Sequence, residues 1–258
     1  MPQTIGIFDS GIGGLSVLAA ARQKMPDVNF IYYADTEHVP YGTKTKDEII
    51  RYSLSAAEFL CAKGAEAILV ACNTATSMAV DILRDSFSCP IVGMEPAVKP
   101  ALIRHPHERI LVTATPATIT GQKLHDLLQR NAEQDDIVDL VSLPKLVIYA
   151  ENGLFDPAAV SDYIRSQITR TDYTACVLGC THFPYFRDSF RTVLPSADLI
   201  DGTEGTVNQL CHVTGYTPQH KNSAPAEQVR YYRTGTEVVN PITIDFYENL
   251  QRRALSVI

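Results

Sequence analysis

Two cysteines, Cys72 and Cys180, stand where acid–base chemistry would need them. Each ends a short apolar run and is followed at once by small polar residues, in ACNTAT (71–76) and LGCTHFP (178–184). A thiol beside a helix N-terminus ionises more readily and can be held as thiol or thiolate near neutral pH. A buried structural thiol is the ordinary state of free cysteine, so either residue alone supports no more than that. Their matched placement changes the reading. ILVACNT (68–74) aligns with CVLGCTH (176–182) at an offset of 108 (180 − 72). IGIFDS (5–10) aligns with ILVTAT (110–115) at an offset of 105 (115 − 10), which sets Ser10 opposite Thr115. Two similar offsets in the same order point to two related halves, each presenting one thiol.

Inverting a carbon requires a proton taken from one face and another delivered to the opposite face. Two thiols facing each other, with pKa values tuned near the working pH, are the minimal apparatus for that. Other chemistries fit less well. Cys176, Cys180 and His182 suggest metal ligands, but Cys176 and Cys180 fall four residues apart on one strand face, too distant to chelate one ion at Zn–S bond lengths. No CxxC is present for zinc or for thiol redox work. A single-nucleophile hydrolase leaves the second cysteine without a task.

In open parallel sheets, ligands bind beyond the carboxyl ends of the strands. Four such ends are small and polar: DSGIGG (9–14), CNTAT (72–76), ATPAT (114–118) and CTHFP (180–184). Each precedes a helix on the sequence pattern, and helix N-termini supply unpaired N–H groups suited to carboxylates or phosphates. The glycines of DSGIGG match neither the dinucleotide spacing nor the phosphate-loop spacing, so a tight turn with close backbone approach is a sufficient reading.

The elements that must carry these ends alternate in type. Strand-like runs are TIGIF (4–8), NFIYY (29–33), AILVAC (67–72), PIVGM (90–94), RILVT (109–113), DLVSL (139–143), ACVLG (175–179) and ADLI (197–200). Amphipathic stretches lie between them, the pattern of strands and crossover helices in a parallel sheet. Thr45 and Glu48 form a capping-box pair ahead of one helix that Gly64 closes. Asp156 and Pro157 open another that runs through Ile168. A boundary falls near Glu95 and Pro96. After Asp201 the pattern gives a helix (204–213), a linker (216–226), the run QVRYYRTG (228–235) and a last helix. The expected architecture is α/β: two similar α/β domains with mostly parallel sheets, related by a pseudo-twofold axis, with the active site between them. Residues 1–95 with 208–258 make the first domain and 96–207 the second.

Bulk composition bounds the rest. The 258 residues are 45% hydrophobic and 20% charged, ordinary values for a globular chain. A net charge of −7, with basic residues scattered, argues against a nucleic-acid partner. Apolar runs are far too short to span a bilayer, and MPQTIGIFDS lacks the regions of a signal peptide, so no membrane partner is expected. Without a secretory signal the six cysteines read as free thiols in a reducing, cytoplasmic compartment.

Four motifs in order, FDSGIGGLSV (8–17), YADTEHVPYG (33–42), ACNTAT and LGCTHFP, resemble those of the cofactor-independent aspartate/glutamate racemase family, and within it the glutamate racemases of bacterial cell-wall synthesis. The resemblance runs from about Ile5 to at least Gly202. It implies that Cys72 and Cys180 are the two catalytic acid/base residues, each working on one enantiomer. Asp9 and His182 would assist them, with Glu151, in AENGLF (150–155), a further acidic helper on the Cys180 side. By the same resemblance Asp9, Ser10, Tyr41, Gly42, Asn73, Thr74, Thr115, Thr118, Thr181 and His182 would hold the substrate, glutamate. No pyridoxal phosphate, other cofactor or metal is implied, and a homodimer is. Aspartate and hydantoin racemases share the paired cysteines; CTH in place of an acidic residue after CT, together with DSGIGG, favours glutamate. A non-catalytic module binding acidic metabolites through the same strand-end hydroxyls is the reading from another class.

Overall fold

Strands covered on both faces read as nearly continuous apolar runs, and alternate residues of each run serve opposite layers. The computed structural model describes residues 3–133, 135–217 and 229–255. Strands β1 (Thr4–Asp9), β2 (Asn29–Ala34), β3 (Ala67–Val70) and β4 (Ile91–Gly93) alternate with helices α1 (Leu15–Lys24), α2 (Lys46–Ala62) and α3 (Asn73–Ser86). Helix α4 (Val98–Arg104) leads into β5 (Arg109–Ala114). Then follow α5 (Pro116–Ile119), α6 (Gln122–Asn131), β6 (Ile137–Ser142), α7 (Pro144–Glu151), α8 (Pro157–Gln167), β7 (Ala175–Leu178), α9 (Arg187–Val193), β8 (Asp198–Asp201) and α10 (Thr203–Thr214). Strands β9 (Val229–Arg233) and β10 (Thr236–Glu237) and helix α11 (Pro241–Leu255) close the chain.

The strands form two sheets, ordered β10-β9-β2-β1-β3-β4 and β6-β5-β7-β8. Every pairing is parallel except that of β10 with β9. The run β2-β1-β3-β4 has the same order as β6-β5-β7-β8, so the backbone repeats its topology where IGIFDS and ILVTAT, and the two cysteine motifs, align. Both halves are therefore α/β with mostly parallel sheets, and they face each other through the carboxyl ends of their strands.

Alternation along the strands sorts the core into layers. Ile5 and Ile7 of β1 join Leu69, Leu111 and Leu178 in a cluster that runs between the halves through α1, α7, α8 and α11. Phe8, Ile68 and Val70 face α2 and α3 instead. Ile110, Val112 and Val177 face α4 and α6. The tail is tied to the first sheet: β9 pairs with β2 from Phe30↔Val229 to Ala34↔Arg233, and Gly235 supplies the left-handed turn (φ 84°) into β10. Helix α11 reaches the other half as well, where Arg253 Nε donates to the carbonyl of Tyr185 at 2.9 Å. The expected linker 216–226 lies from residue 218 onward outside the described residues. No helix among the described residues is long and apolar enough to cross a membrane.

Strand ends differ from the sequence expectation in one respect that matters. AILVAC and ACVLG place each cysteine at or next to the last strand residue, yet β3 stops at Val70 and β7 at Leu178. Cys72 has left the ladder to become the N-cap of α3, at φ −65° and ψ 116°. A helix needs a non-helical residue ahead of its first turn, and that demand overrides the apolar run.

The layered core makes one quantitative expectation. Ile7 is fully buried in the central strand, so Ile7→Ala should cost about 2–5 kcal/mol in urea unfolding. Val239→Ala, at a position 76% exposed, should stay within about 0.5 kcal/mol.

Candidate active site

The loop after β1 is bent by contacts that only glycine allows. A Cβ on Gly11 would lie 1.9 Å from Glu151 Oε1, and one on Gly13 would lie 2.3 Å from Thr181 Oγ1 and 2.6 Å from His182 Nδ1. DSGIGG thus brings backbone from the first half into direct contact with three polar side chains of the second. Two buried tyrosines hold it there. Tyr32 donates to the carbonyl of Gly11 at 2.7 Å and Tyr185 to that of Ile12 at 2.8 Å. The sequence reading names neither; for Tyr32 the available signal was a tyrosine within a buried strand, whose hydroxyl must find a partner, and Tyr185, in the 3-10 turn after Cys180, offered none.

Around this loop a polar chain crosses between the halves. Glu151 Oε1 accepts from the backbone N–H of Ile12 at 2.9 Å and from His182 Nε2 at 2.7 Å. The other ring nitrogen of His182 lies 3.6 Å from Cys180 Sγ. Burial by itself would depress the His182 pKa, but its contacts with Cys180 and Glu151 outweigh that and hold it well above the ordinary imidazole value. Glu151 is the last residue of α7, where the helix dipole opposes a negative charge; the Ile12 N–H and the imidazole supply the compensation. Asp9 is fully buried, accepting from Gly11 N–H at 3.0 Å and from the Thr181 hydroxyl at 3.1 Å. Burial raises its pKa above the ordinary carboxylate value, against the pull of His182 and of the Gly11 and Gly14 N–H groups.

The first-half thiol has a different environment. Cys72 Sγ accepts from the N–H of Ala75 at 3.4 Å and donates to Ser10 Oγ at 3.5 Å. Burial, reinforced by the charge of Asp9, pushes its pKa up to about 12, although those two hydrogen bonds work in the opposite direction. Next to it, Asn73 Nδ2 donates to the carbonyl of Met94 at 3.3 Å, while Asn73 Oδ1 is buried with no hydrogen-bond partner.

Three threonine hydroxyls link the halves on the far side of the site. Thr74 Oγ1 lies 2.8 Å from Thr115 Oγ1 and 3.3 Å from Thr118 Oγ1, and Thr115 donates to Thr118 at 3.1 Å. Above them a short 3-10 turn, Tyr41–Thr43, covers the opening, with Gly42 packed on Thr115. The Tyr41 hydroxyl donates to Asp35 Oδ2 at 2.6 Å, and the same carboxylate takes His38 Nδ1 at 2.8 Å and the Thr234 hydroxyl at 3.3 Å. His38 in turn stacks on Tyr52, with centroids 3.7 Å apart. Of YADTEHVPYG only Tyr41 and Gly42 entered the expected site, yet Asp35 and His38 are the residues that fix their turn in place.

Ser10, Tyr41, Gly42, Cys72, Asn73, Thr74, Thr115, Cys180, Thr181 and His182 line one small cavity of about 10 Å³, together with Pro40 and Val147. Of the remaining candidates, Asp9 and Glu151 touch its walls through Thr181 and His182, and Thr118 through Thr115 and Thr74. Two thiols on matched strand ends of opposed sheets, each beside polar or titratable groups, can take a proton from and return one to opposite faces of a bound carbon acid. No group of three or more His, Cys, Asp or Glu side chains among the described residues is gathered to hold a metal ion.

The family described as Asp/Glu/Hydantoin racemase matches residues 15–210. A glutamate racemase of Halothermothrix orenii is 46% identical over 235 residues, covering 90% of this chain and 92% of its own. Among solved structures, Escherichia coli glutamate racemase in complex with L-glutamate and the activator UDP-MurNAc-Ala superposes with a TM-score of 0.83 at 26% identity, over 98% of this chain and 96% of its own. Glutamate racemase of Francisella tularensis in complex with D-glutamate gives 0.79 at 25% identity, over 97% and 94%.

The raised pKa of His182 has a signed consequence. Because the folded value lies above the unfolded one, the stability it contributes is fully present below about pH 6.5 and is lost as pH rises through the folded value. Glu151→Gln should lower the His182 midpoint, followed by NMR of the ring protons. An unchanged midpoint would mean that Glu151 does not hold the charge.

Proposed function

The chain belongs to the Asp/Glu/hydantoin racemase family, and we propose that it interconverts L-glutamate and D-glutamate by proton transfer at Cα between Cys72 and Cys180, without a cofactor. One observation carries the assignment of the two bases: both thiols line the same cavity from equivalent strand ends of opposed sheets. A thiolate removes the Cα proton from one face while the opposite thiol delivers a proton to the other. The developing carbanion spreads charge onto the substrate carboxylate, so donors fixed around that carboxylate lower the barrier. The N-terminal turn of α3 and the hydroxyls of Ser10, Thr74, Thr115, Thr118 and Thr181 supply those donors. Asn73 Oδ1, a buried acceptor without a partner, suits the substrate ammonium.

The two sides work with different helpers. Burial and then the charge of Asp9 push the Cys72 pKa up, which favours its thiol form as the proton donor. His182 exchanges protons with Cys180 and is held in register by Glu151. Residues 1–95 with 208–258 form the half that carries Cys72, and 96–207 the half that carries Cys180; the pairing of β9 with β2 supports this division. The D-glutamate made would supply bacterial peptidoglycan, in the cytoplasm, from a homodimer that needs neither membrane nor nucleic acid.

Incubating each glutamate enantiomer with the protein in deuterated water tests the chemistry directly. Deuterium should enter Cα of the inverted product, and Cys72→Ser or Cys180→Ser should each lower inversion by about 10²–10⁴-fold. Normal racemisation by either variant would refute the two-base mechanism, and turnover of aspartate alone would refute the substrate.

Asp35 acts on Tyr41, so its loss should weaken substrate binding more than chemistry. Asp35→Asn is expected to raise KM by about tenfold, the worth of one charge-assisted hydrogen bond, with kcat little changed. In a Tyr41→Phe background the same change should add little, because the shared interaction is already gone.

A further inference from the structure

All six cysteines are free thiols, and two of them outside the proposed site lie together: the sulfurs of Cys61 and Cys89 are 3.9 Å apart. We propose that Cys61 and Cys89 are a modification site, a dithiol built to close into a disulfide when it meets a low-molecular-weight disulfide such as oxidised glutathione. Cys61 lies in the last turn of α2, and its carbonyl accepts from Gly64 N–H at 2.9 Å as the helix ends. Cys89 precedes Pro90, whose carbonyl accepts from Ile68 N–H at 2.9 Å at the start of β4. Both backbones are thus held by hydrogen bonds beside the pair, and the gap to close is from 3.9 Å between the sulfurs to the roughly 2.05 Å of a disulfide. Both side chains are only partly buried, at an apolar rim shared with Phe59, Ala65 and Phe87, where a small oxidant has access.

The reaction balances with one co-reactant. The Cys61 thiolate attacks a sulfur of glutathione disulfide, breaking its S–S bond, releasing one glutathione thiolate and leaving a mixed disulfide on Cys61. Cys89 then gives up its proton to solvent and its sulfur attacks Cys61, expelling the second glutathione thiolate, and each released thiolate is free to take up a proton. Two cysteine thiols are oxidised and one glutathione disulfide is reduced to two thiols. Burial and the neighbouring Cys61 push the Cys89 thiol up to about 11. The contrast with the proposed active site follows from the same rules. Cys72 and Cys180 are 5% exposed and each is engaged by its own polar neighbours, so the surface pair meets an oxidant first.

Closure would ring residues 61–89, the segment that holds β3, Cys72 and α3, and would tie the end of α2 to strand β4. Cross-linking restricts the unfolded chain and so raises the melting temperature, while the catalytic thiols remain reduced. The experiment is exposure of the folded protein to oxidised glutathione, followed by denaturing alkylation and peptide mass spectrometry. We expect a Cys61–Cys89 cross-linked peptide, thiol loss at these two positions about tenfold faster than at Cys72, and a raised Tm with racemase activity retained. Cys61→Ser and, independently, Cys89→Ala should abolish the cross-link and the Tm rise and leave basal activity unchanged. Protein oxidised in denaturant should scatter its pairings among the six cysteines, which separates folded geometry from sequence proximity. A glutathione adduct that persists on Cys61 without closing, or oxidation of Cys72 or Cys180 while Cys61 and Cys89 stay reduced, would overturn the proposal. Neither outcome depends on the identity of the substrate, so failure here leaves the racemase reading standing.

Discussion

A single carboxylate, that of Glu151, accepts from the Ile12 backbone at 2.9 Å and from His182 at 2.7 Å, and through these two bonds it joins the loop after β1 to the loop after β7. Almost every other feature of the site is a condition for that junction. Gly11 must lack a side chain because Glu151 occupies the space a Cβ would take, and Gly13 must lack one because Thr181 and His182 do. Tyr32 and Tyr185 donate to the carbonyls of Gly11 and Ile12 that the bent loop turns inward, the latter shared with the Leu15 N–H at 3.2 Å. The helix end that delivers Glu151 is electrostatically unfavourable for it, so its position is stable only while both donors are present.

The repeated topology does not produce a symmetric site. Cys72 caps a helix directly and receives an N–H from its first turn, whereas Cys180 is followed by a 3-10 turn, Phe183–Phe186, and has an imidazole beside it. Backbone symmetry places two thiols across one cavity, and local sequence then gives them different proton partners. Such inequality suits the proposed reaction, in which two enantiomers with a single stereocentre would share one asymmetric set of contacts.

The strands, the two thiols and the polar strand ends were legible because each rests on a short-range rule: buried parallel strands are apolar runs, and ligands gather where those runs stop. Cys72 shows the limit of the rule at single-residue scale, since the apolar run continued through Ala71 while the helix cap took the backbone out of the ladder. Glu151 was the least legible of the named residues. AENGLF reads as an exposed helix end, and only the approach of α7 to the DSGIGG loop, set by packing between the halves, turns the carboxylate inward. Asp35 and His38 were invisible for the same reason. Their task is defined by Tyr41 and by Thr234, and the latter arrives from the far end of the chain when β9 pairs with β2.

Between the thiols the cavity holds about 10 Å³, room for about one water, and polar groups of both halves converge on it. The contacts that close it are identifiable. Thr74 from the first half meets Thr115 and Thr118 from the second, and Thr115 Oγ1 also accepts from the Thr118 N–H at 3.3 Å. On the proposed reading a substrate carboxylate placed among them would accept from the same hydroxyls, and hydrogen bonds to a charged acceptor exceed neutral ones by roughly a factor of two. Behind the Glu151 junction lies the hydrophobic cluster that spans both halves, through Ile12, Val147 and Phe183. Threonine hydroxyls on one side and an apolar seam on the other thus hold the two halves against the same cavity.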